Sequence, residues 1–181
     1  MNRAYLSLGS NIEPVANLRV AITMLAAQTR LLAVSSVWET APLGITDQPN
    51  FLNMAALVET ELSAGQLKRD VLRRIETALH RNRTGHRYGP RTIDIDLMLF
   101  NRDIFDLDGH HIPDTEVLER AFVAIPLAEI SPEYRHPETG QTLAAIAADF
   151  DIEKEKMFLR HEITFDIPQT LVPSQELEKE K

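Results

Sequence analysis

The chain has 181 residues, is 44% hydrophobic and carries a formal net charge of −8. This length suits one domain with a buried core, and the apolar content excludes a disordered chain. The absence of cysteine excludes disulfides, thiolate metal sites and cysteine nucleophiles, and it is typical of a cytoplasmic protein. We expect no membrane span and no secretory signal, because no stretch of the sequence is long and apolar enough.

The first part of the chain predicts alternating strands and helices. "RAYLSLGSN" predicts a strand closed by Gly9, and "EPVANLRVAITMLAA" predicts a helix with Pro14 in its first turn. "LAVSSVWET" predicts a second strand, "APLGITDQPN" a loop and "FLNMAALVETEL" a third strand. "SAGQLKRDVLRRIETALHR" predicts a second helix, in which Ser63 and Gln66 match a capping box. The predicted core positions of the two helices are Val15, Leu18, Ile22 and Leu25, then Leu67, Val71, Ile75 and Leu79.

The remaining segments complete the predicted fold. "TIDIDLMLF" predicts a fourth strand, "TEVLERAFVAIPLAEI" a helix that ends at Pro126, and "GQTLAAIAADF" one more helix. The order β-α-β-β-α-β predicts an α+β fold, a ferredoxin-like split β-α-β antiparallel sheet with helices packed on it. We assign residues 1–150 to a single domain and residues 151–181 to a C-terminal extension, which we expect to pack on the domain or on a partner.

Two aspartates on the fourth strand form a candidate metal site. Because strand side chains alternate, Asp94 and Asp96 share one face, with their Cα atoms about 7 Å apart. Two carboxylates at this spacing can bind one hard cation or bridge two, and Mg²⁺ takes one or two carboxylates together with substrate phosphates. The alternative is a pair of solvated acids on a half-exposed sheet. The opposite face, predicted to be the core, carries Ile93, Ile95, Leu97 and Leu99.

An arginine-rich loop precedes these aspartates. Residues 81–91 contain Arg81, Arg83, Arg87 and Arg91 and no acid, so the remaining chain has a charge of −8 − 4 = −12. A guanidinium group binds phosphate oxygens through paired hydrogen bonds and stays charged at physiological pH. Beside an acid pair, these arginines predict a polyphosphate site. The alternative is a basic turn whose arginines pair with surface acids.

The third strand carries a candidate site for a flat ring. Phe51 and Asn53 share a face, and an aromatic ring beside a carboxamide can stack on a heterocycle and pair with its edge. By themselves, a Phe and an Asn two residues apart are more often a core edge and a turn.

Several motifs together resemble one enzyme family. "LSLGSN", "SSVWETAPLG", "DQPNFLN", "RRIE", "RYGPRTIDIDLMLF" and "RAFVAIPLAEI" occur in order over about residues 4–130, and they resemble the 6-hydroxymethyl-7,8-dihydropterin pyrophosphokinase family. The resemblance implies a Mg²⁺-dependent transfer of pyrophosphate from ATP to 6-hydroxymethyl-7,8-dihydropterin, which releases AMP in folate biosynthesis. It implies two Mg²⁺ ions, ATP as co-substrate, and neither nucleic acid nor a membrane as partner, and it leaves the oligomeric state open.

The resemblance also implies roles for individual residues. The metal ligands would be Asp94 and Asp96. The catalytic arginines that clamp the polyphosphate would be Arg81 and Arg91. The pterin would contact Thr40, Ala41, Leu43, Phe51, Asn53 and Phe122. The ATP would contact Glu76, Arg83, Arg87, Tyr88, Leu97 and Arg120.

The sequence departs from the family pattern at Asp114 and Thr115, where the family usually has a histidine and then an aromatic residue. An acid at this position would repel phosphate, or it would cap the helix predicted to begin near Glu116. Two alternative functions therefore stay open. One is a relative that binds pterin or nucleotide without turnover. The other is a ferredoxin-like RNA-binding module, which the net charge of −8 disfavours.

Overall fold

A β-sheet with helices on both faces forms the centre of the molecule, within the part of the chain that the computed structural model describes, residues 1–82 and 89–165. The strands are β1 Asn2–Ser10, β2 Arg30–Val34, β3 Trp38–Thr40, β4 Phe51–Thr60, β5 Asp94–Phe100, β6 Phe105–Leu107, β7 His110–Ile112 and β8 Phe158–Leu159. The helices are α1 Pro14–Gln28, α2 Ala64–Gln66, α3 Arg73–Ala78, α4 Glu116–Glu119, α5 Ala121–Ile130 and α6 Leu143–Ala148. A π-helical segment, Leu67–Leu72, joins α2 to α3.

The sheet order is β5-β1-β4-β3-β8, β2 also pairs with β4, and every pairing is antiparallel. β1 and β4 pair along their whole length, from Asn2 opposite Thr60 to Ser10 opposite Leu52. β5 pairs with the other side of β1, so it is an edge strand among the described residues. β6 and β7 form a separate hairpin, which the sequence analysis did not predict.

The two faces of the sheet support two hydrophobic cores. The first core lies under α1, α2, the π-helical segment and α3, and its members include Leu6, Leu8, Leu18, Ile22, Leu25, Met54, Leu67, Val71, Ile75, Ile93, Ile95 and Leu97. The second core lies under α5 and α6, and its members include Tyr5, Ala55, Leu57, Met98, Leu99, Val123, Leu127, Leu143 and Ile146. The helical spacing of apolar residues therefore predicted most of the core positions on the two helices that pack in the first core.

The predicted second strand is two strands, because the chain leaves the sheet at Ser35. Ser35 N donates to Ala55 O at 2.9 Å, but its hydroxyl, not its carbonyl, accepts the return bond from Ala55 N at 2.8 Å. Ser36 N then donates to Glu129 Oε2 at 2.7 Å, outside the sheet. The side-chain hydroxyl replaces a backbone partner and interrupts the ladder.

The prediction that Leu99 shares a face with Ile95 and Leu97 is wrong. In the register between β1 and β5, Leu6 is opposite Leu97 while Tyr5 is opposite Leu99, which makes Met98 an extra residue. Such a bulge reverses the alternation of side chains beyond it. Leu99 therefore packs in the second core.

The helices also depart from the predictions at three positions. Val15 is 37% exposed, and Ala21 takes a place in the core face of α1. The capping box at Ser63 is confirmed, but the predicted single helix contains the π-helical segment and ends at Ala78. The predicted end at Pro126 is wrong, because α5 continues through this residue, and buried apolar side chains on both sides of it pack the helix against the sheet. No helix in the described ranges is long and apolar enough to cross a membrane.

The C-terminal residues follow α6, which lies at Leu143–Ala148 within the predicted segment 140–150 and has Thr142 as its N-cap. Thr142 Oγ1 accepts a hydrogen bond from Ala145 N at 3.1 Å and caps the helix. Further on, β8 adds to the free side of β3, with Leu159 opposite Trp38. Residues 166–181 of the predicted extension lie outside the described residues.

Candidate functional site

One cleft of about 760 Å³ brings the predicted site residues together. It opens where β1 ends and the antiparallel strands β4 and β5 begin, beside the first turn of α5 and the hairpin of β6 and β7. The predicted site residues that line it are Thr40, Ala41, Leu43, Phe51, Asn53, Glu76, Arg81, Arg91, Asp94, Asp96, Leu97, Arg120 and Phe122. The predicted contacts Arg83, Arg87 and Tyr88 lie outside the described residues.

Both aspartates of the acid pair reach the cleft from β5. They lie opposite small residues of β1, Asp94 opposite Gly9 and Asp96 opposite Ser7. The carboxylate of Asp94 forms an ion pair with Arg91 Nη1, and its Oδ2 is 3.5 Å from Arg81 Nη2. Asp94 therefore has its charge balanced by both predicted polyphosphate arginines.

Asp96 lies in the most negative part of the cleft. Its side chain is open to solvent on the cleft side, but the surrounding walls displace much of its water. The pKa of Asp96 is raised to about 8, first by this desolvation and then by the negative charges of Asp94, Glu76, Glu116 and Asp114. A cation bound here would relieve the repulsion and favour the ionised carboxylate.

The acid pair fits a hard divalent cation. Carboxylate oxygens are the ligands that Mg²⁺ prefers, and Mg²⁺ usually keeps several waters or substrate oxygens in its shell. In residues 1–82 and 89–165, no group of three or more His, Cys, Asp or Glu side chains is placed to hold a metal. A cation held by Asp94 and Asp96 would therefore need further ligands from water or from a bound phosphate.

Three arginines provide donors for anions in the same cleft. The side chains of Arg81 and Arg91 are only 12% and 16% exposed. The Nε atoms of Arg81 and Arg120 are buried and have no hydrogen-bond partner among the described residues. A buried N–H group without a partner costs about 1–3 kcal/mol, so these two donors favour an anionic ligand that accepts from them.

The predicted ring-binding side of the cleft is built on β3 and β4. Asn53 is 5% exposed, and its Nδ2 donates to Thr40 Oγ1 at 2.8 Å, which fixes the carboxamide. A Cβ atom at Gly9 would lie 3.0 Å from Asn53 Oδ1, so glycine keeps space beside this amide. The guanidinium of Arg91 lies over the ring of Phe51, with 5.5 Å between its Cζ and the ring centroid. Phe122, in the first turn of α5, lines the same cleft.

Glu76 forms a buried hydrogen bond to the backbone of β5, the strand that carries Asp94 and Asp96. It is 1% exposed, and its Oε1 accepts a hydrogen bond from Ile95 N at 3.1 Å. Ile95 lies between the two aspartates on β5, so this bond fixes the backbone that positions them. The predicted contact of Glu76 with ATP stays a prediction.

Sequence reasoning assigned no role to Asn11, which connects the two halves of the cleft. This residue is 3% exposed. Its Nδ2 donates to Gln48 Oε1 at 3.0 Å and to Pro49 O at 3.1 Å, and its Oδ1 accepts from Arg91 N at 2.7 Å. The only feature of the sequence that could have indicated a role for Asn11 is its position at the end of the "LSLGSN" motif. Asn11 thus joins the loop before Phe51 to the predicted phosphate arginine.

The cleft also contains basic residues that the sequence analysis did not single out. Lys68 and Arg73 line it from the π-helical segment and α3. Both pair with Asp108 of the β6–β7 hairpin, at 3.6 Å for Lys68 Nζ and 3.2 Å for Arg73 Nη2. These ion pairs hold the hairpin against the helix on the side of the cleft away from Phe51.

Comparisons with known proteins give one consistent family. The sequence model of the 7,8-dihydro-6-hydroxymethylpterin-pyrophosphokinase family matches residues 5–132. A 2-amino-4-hydroxy-6-hydroxymethyldihydropteridine pyrophosphokinase of Pseudomonas aeruginosa is 39% identical over 151 residues, which cover 82% of this chain and 91% of that protein. Enzymes of the same name from Bacillus subtilis and Methylorubrum extorquens are 40% and 45% identical, over 77% and 74% of this chain and 84% and 85% of their own length.

The solved structures show the same fold at low sequence identity. A Plasmodium falciparum HPPK-DHPS structure with pterin and p-hydroxybenzoate has a TM-score of 0.70 at 14% identity, and the match covers 87% of this chain. This chain spans 47% of that longer chain. The sequence match over residues 5–132 and the identity to three full-length bacterial relatives place this chain in the 7,8-dihydro-6-hydroxymethylpterin-pyrophosphokinase family of enzymes.

Proposed function

We propose that this protein transfers the terminal pyrophosphoryl group of ATP to the hydroxymethyl oxygen of 6-hydroxymethyl-7,8-dihydropterin, in the cytoplasm and as a step of folate biosynthesis. The observation that carries the proposal is the single cleft in which an acid pair, three arginines and an aromatic–amide pair converge. The relatives' names support the pterin substrate and the pyrophosphokinase reaction. The hydroxymethyl oxygen forms a bond to the β-phosphorus, the bond from that phosphorus to the α-phosphate oxygen breaks, and AMP leaves.

Asp94 and Asp96 would hold two Mg²⁺ ions. When bound, Mg²⁺ neutralises phosphate charge and stabilises the charge that develops on the leaving group. The concentration of carboxylates around Asp96 supports this role, since a cation removes the repulsion that raises its pKa.

The arginines bind and orient the polyphosphate. Arg81 and Arg91 pair with Asp94 in the structure, and phosphate oxygens would compete for the same guanidinium N–H groups. The buried Nε atoms of Arg81 and Arg120 would gain acceptors on binding. Orientation and electrostatic stabilisation by such fixed groups supply most of the rate in phosphoryl transfer.

The pterin would bind on the β3–β4 side of the cleft. Phe51 and Phe122 would contact the faces of the ring, and Asn53 would pair with its polar edge. The bond between Asn53 and Thr40 supports this role, because it holds the carboxamide in one orientation before the ligand arrives.

Two further features belong to the proposal. The strand order β5-β1-β4-β3 supports a ferredoxin-like split β-α-β arrangement. We also assign the catalytic unit to residues 1–150, within which the family match lies, and treat residues 151–181 as an extension, because the composition shifts to runs of charged residues after about residue 150.

Calorimetric titration tests the proposal directly. The protein is titrated with a non-hydrolysable ATP analogue in the presence and absence of Mg²⁺, and then with the pterin. We expect the analogue to bind only in the presence of Mg²⁺. We expect Asp96→Asn to lose this Mg²⁺-dependent binding. Asp149→Asn is the matched control, since Asp149 is exposed, does not line the cleft, and its substitution removes the same charge. Equal binding of the analogue without Mg²⁺ would contradict the metal assignment.

A further inference from the structure

The C-terminal strap, which we define as residues 157–165, joins the sheet beside the ring-binding side of the cleft. Met157 packs with Trp38 in a small hydrophobic cluster. Phe158 and Leu159 then form β8 against β3, and Arg160 N donates to Val37 O at 2.9 Å. The strap lies beyond residues 5–132, which the family model matches.

After β8 the strap crosses the edge of the sheet to its other face. Ile163 and Phe165 pack against the first core. The guanidinium of Arg19 on α1 lies over the ring of Phe165, at 5.5 Å from its centroid. The strap is therefore fixed at both of its ends, and Arg160 is held between these two anchors.

Arg160 begins a chain of polar contacts that reaches the loop of residues 41–50. Its Nη1 forms an ion pair with Glu39 Oε2, and its Nε donates to Glu162 Oε1 at 2.7 Å. The other oxygen of Glu39, Oε1, accepts a hydrogen bond from Asn50 Nδ2 at 2.8 Å. Glu39 is 23% exposed at its side chain, so the carboxylate is partly shielded from water.

This chain of contacts joins the two ends of the loop. Glu39 precedes Thr40, and Asn50 precedes Phe51, and both following residues line the cleft. Ala41 and Leu43 of the loop line it as well. The bonds from Asn50 and Arg160 lower the pKa of Glu39, so its carboxylate is ionised at neutral pH.

We infer that Arg160 is a positioning residue for the pterin: by holding Glu39 it fixes Asn50, and thereby holds the ends of the loop 41–50 in the arrangement that presents Phe51 and Thr40 to the ring. The inference rests on the proposed function for the identity of the ligand. Arg160 does not line the cleft, so we expect it to affect the affinity for the pterin and not the transfer step.

The test compares Arg160→Met with Arg30→Met. Arg30 forms a similar exposed ion pair, at 3.1 Å from Nη1 to Glu59 Oε2, on the same sheet but away from the cleft. We expect Arg160→Met to raise the Michaelis constant for the pterin about fivefold with kcat changed by less than about twofold, the pattern of lost ground-state binding. Arg30→Met should leave both constants unchanged, and Arg160→Lys should restore most of the affinity because it keeps the charge.

Two further variants test the route through Glu39. Asn50→Ala should weaken pterin binding to a similar extent, and the double variant with Arg160→Met should add little to either single change, because both act through one carboxylate. Fully additive effects would overturn the inference.

Hydrogen exchange in the absence of substrates tests the same inference without relying on activity. Arg160→Met should speed amide exchange in residues 41–50 several-fold, whereas Arg30→Met should not. Unchanged exchange in this loop, or equal pterin constants for the two variants, would overturn the role of Arg160. A wild-type protein that neither binds the pterin nor forms AMP would instead refute the proposed function, and faster exchange would still support the mechanical role.

Discussion

Asp114 has two separable effects in the structure, and substitutions can distinguish them. Its Oδ1 accepts a hydrogen bond from Glu116 N at 2.9 Å, at the start of α4. Its backbone N donates to Met98 O at 2.8 Å, which holds the residue beside β5. The carboxylate also lines the cleft, and its charge contributes to the raised pKa of Asp96. Asp114, one residue before the N-cap Thr115, is therefore both a hydrogen-bond acceptor for the first turn of α4 and a negative charge near the proposed phosphate site.

The expected magnitudes follow from these contacts. Asp114→Ala removes the capping acceptor and should cost about 1 kcal/mol of unfolding free energy, which corresponds to about 2–4 °C in Tm for a chain of this size. Asp114→Asn keeps an acceptor at the same position, so its Tm should stay within about 1 °C of the wild type. Without the charge, Asp114→Asn should lower the Michaelis constant for ATP about threefold, the scale of one solvent-screened charge contact of about 0.6 kcal/mol.

Two assays on the same preparations separate the effects: thermal unfolding, and initial rates at saturating pterin with varied ATP. Asp149→Asn is the control for the loss of one exposed negative charge that does not line the cleft. An unchanged Tm for Asp114→Ala would refute the capping role. An unchanged ATP constant for Asp114→Asn would refute the repulsion of phosphate.

Three further predictions concern the acid pair, the arginines and a buried histidine. Asp96→Asn should lower turnover by about a thousandfold or more, and near-normal rates in Mg²⁺ would contradict this. Its Tm should not fall below that of the wild type, because the side chain faces the cleft and the substitution removes a charge that neighbouring acids repel. Arg91→Ala should lower kcat more than it weakens pterin binding, because Arg91 is expected to bind phosphate groups whose charge rearranges during transfer. Steady-state kinetics and direct titration measure the two effects, and a loss confined to pterin affinity would contradict the prediction. Burial lowers the pKa of His136 in the folded state, so the imidazole binds a proton more tightly in the unfolded chain. The free energy of unfolding should therefore decrease as the pH falls from about 6.5 toward the pKa of His136 in the folded state. His136→Asn, which keeps an acceptor for the N–H groups of Glu138 and Thr139, should make Tm less sensitive to pH between about 7 and 5, and an unaltered pH dependence would exclude His136 as its source.

The sequence predicted the parts of the site that depend on short-range geometry. Asp94 and Asp96 share a face because strand side chains alternate, and the same rule pairs Phe51 with Asn53. Both pairs line the cleft in the structure. Local sequence pattern could not predict that the two pairs lie in one cleft, because this depends on the pairing of β1 with both β4 and β5. Only the family resemblance predicted it.

The incorrect predictions involve contacts between residues far apart in sequence. Leu99 changes face because of a bulge against β1, and the second strand breaks at Ser35 because its hydroxyl bonds to β4. Pro126 lies within a helix because buried neighbours pack the helix on the sheet, which outweighs one lost backbone hydrogen bond. Asn11 joins residues 37 and 80 positions away in the chain, and a linear pattern contains no signal for such bonds.

Product analysis tests the central claim most directly. The protein is incubated with Mg²⁺, ATP and 6-hydroxymethyl-7,8-dihydropterin, and nucleotides and pterins are quantified by ³¹P NMR and chromatography. We predict one AMP and one pterin diphosphate for each ATP consumed, with no AMP formed when either the pterin or Mg²⁺ is omitted. Release of ADP in place of AMP, or AMP formation that is independent of the pterin, would contradict the proposed pyrophosphoryl transfer.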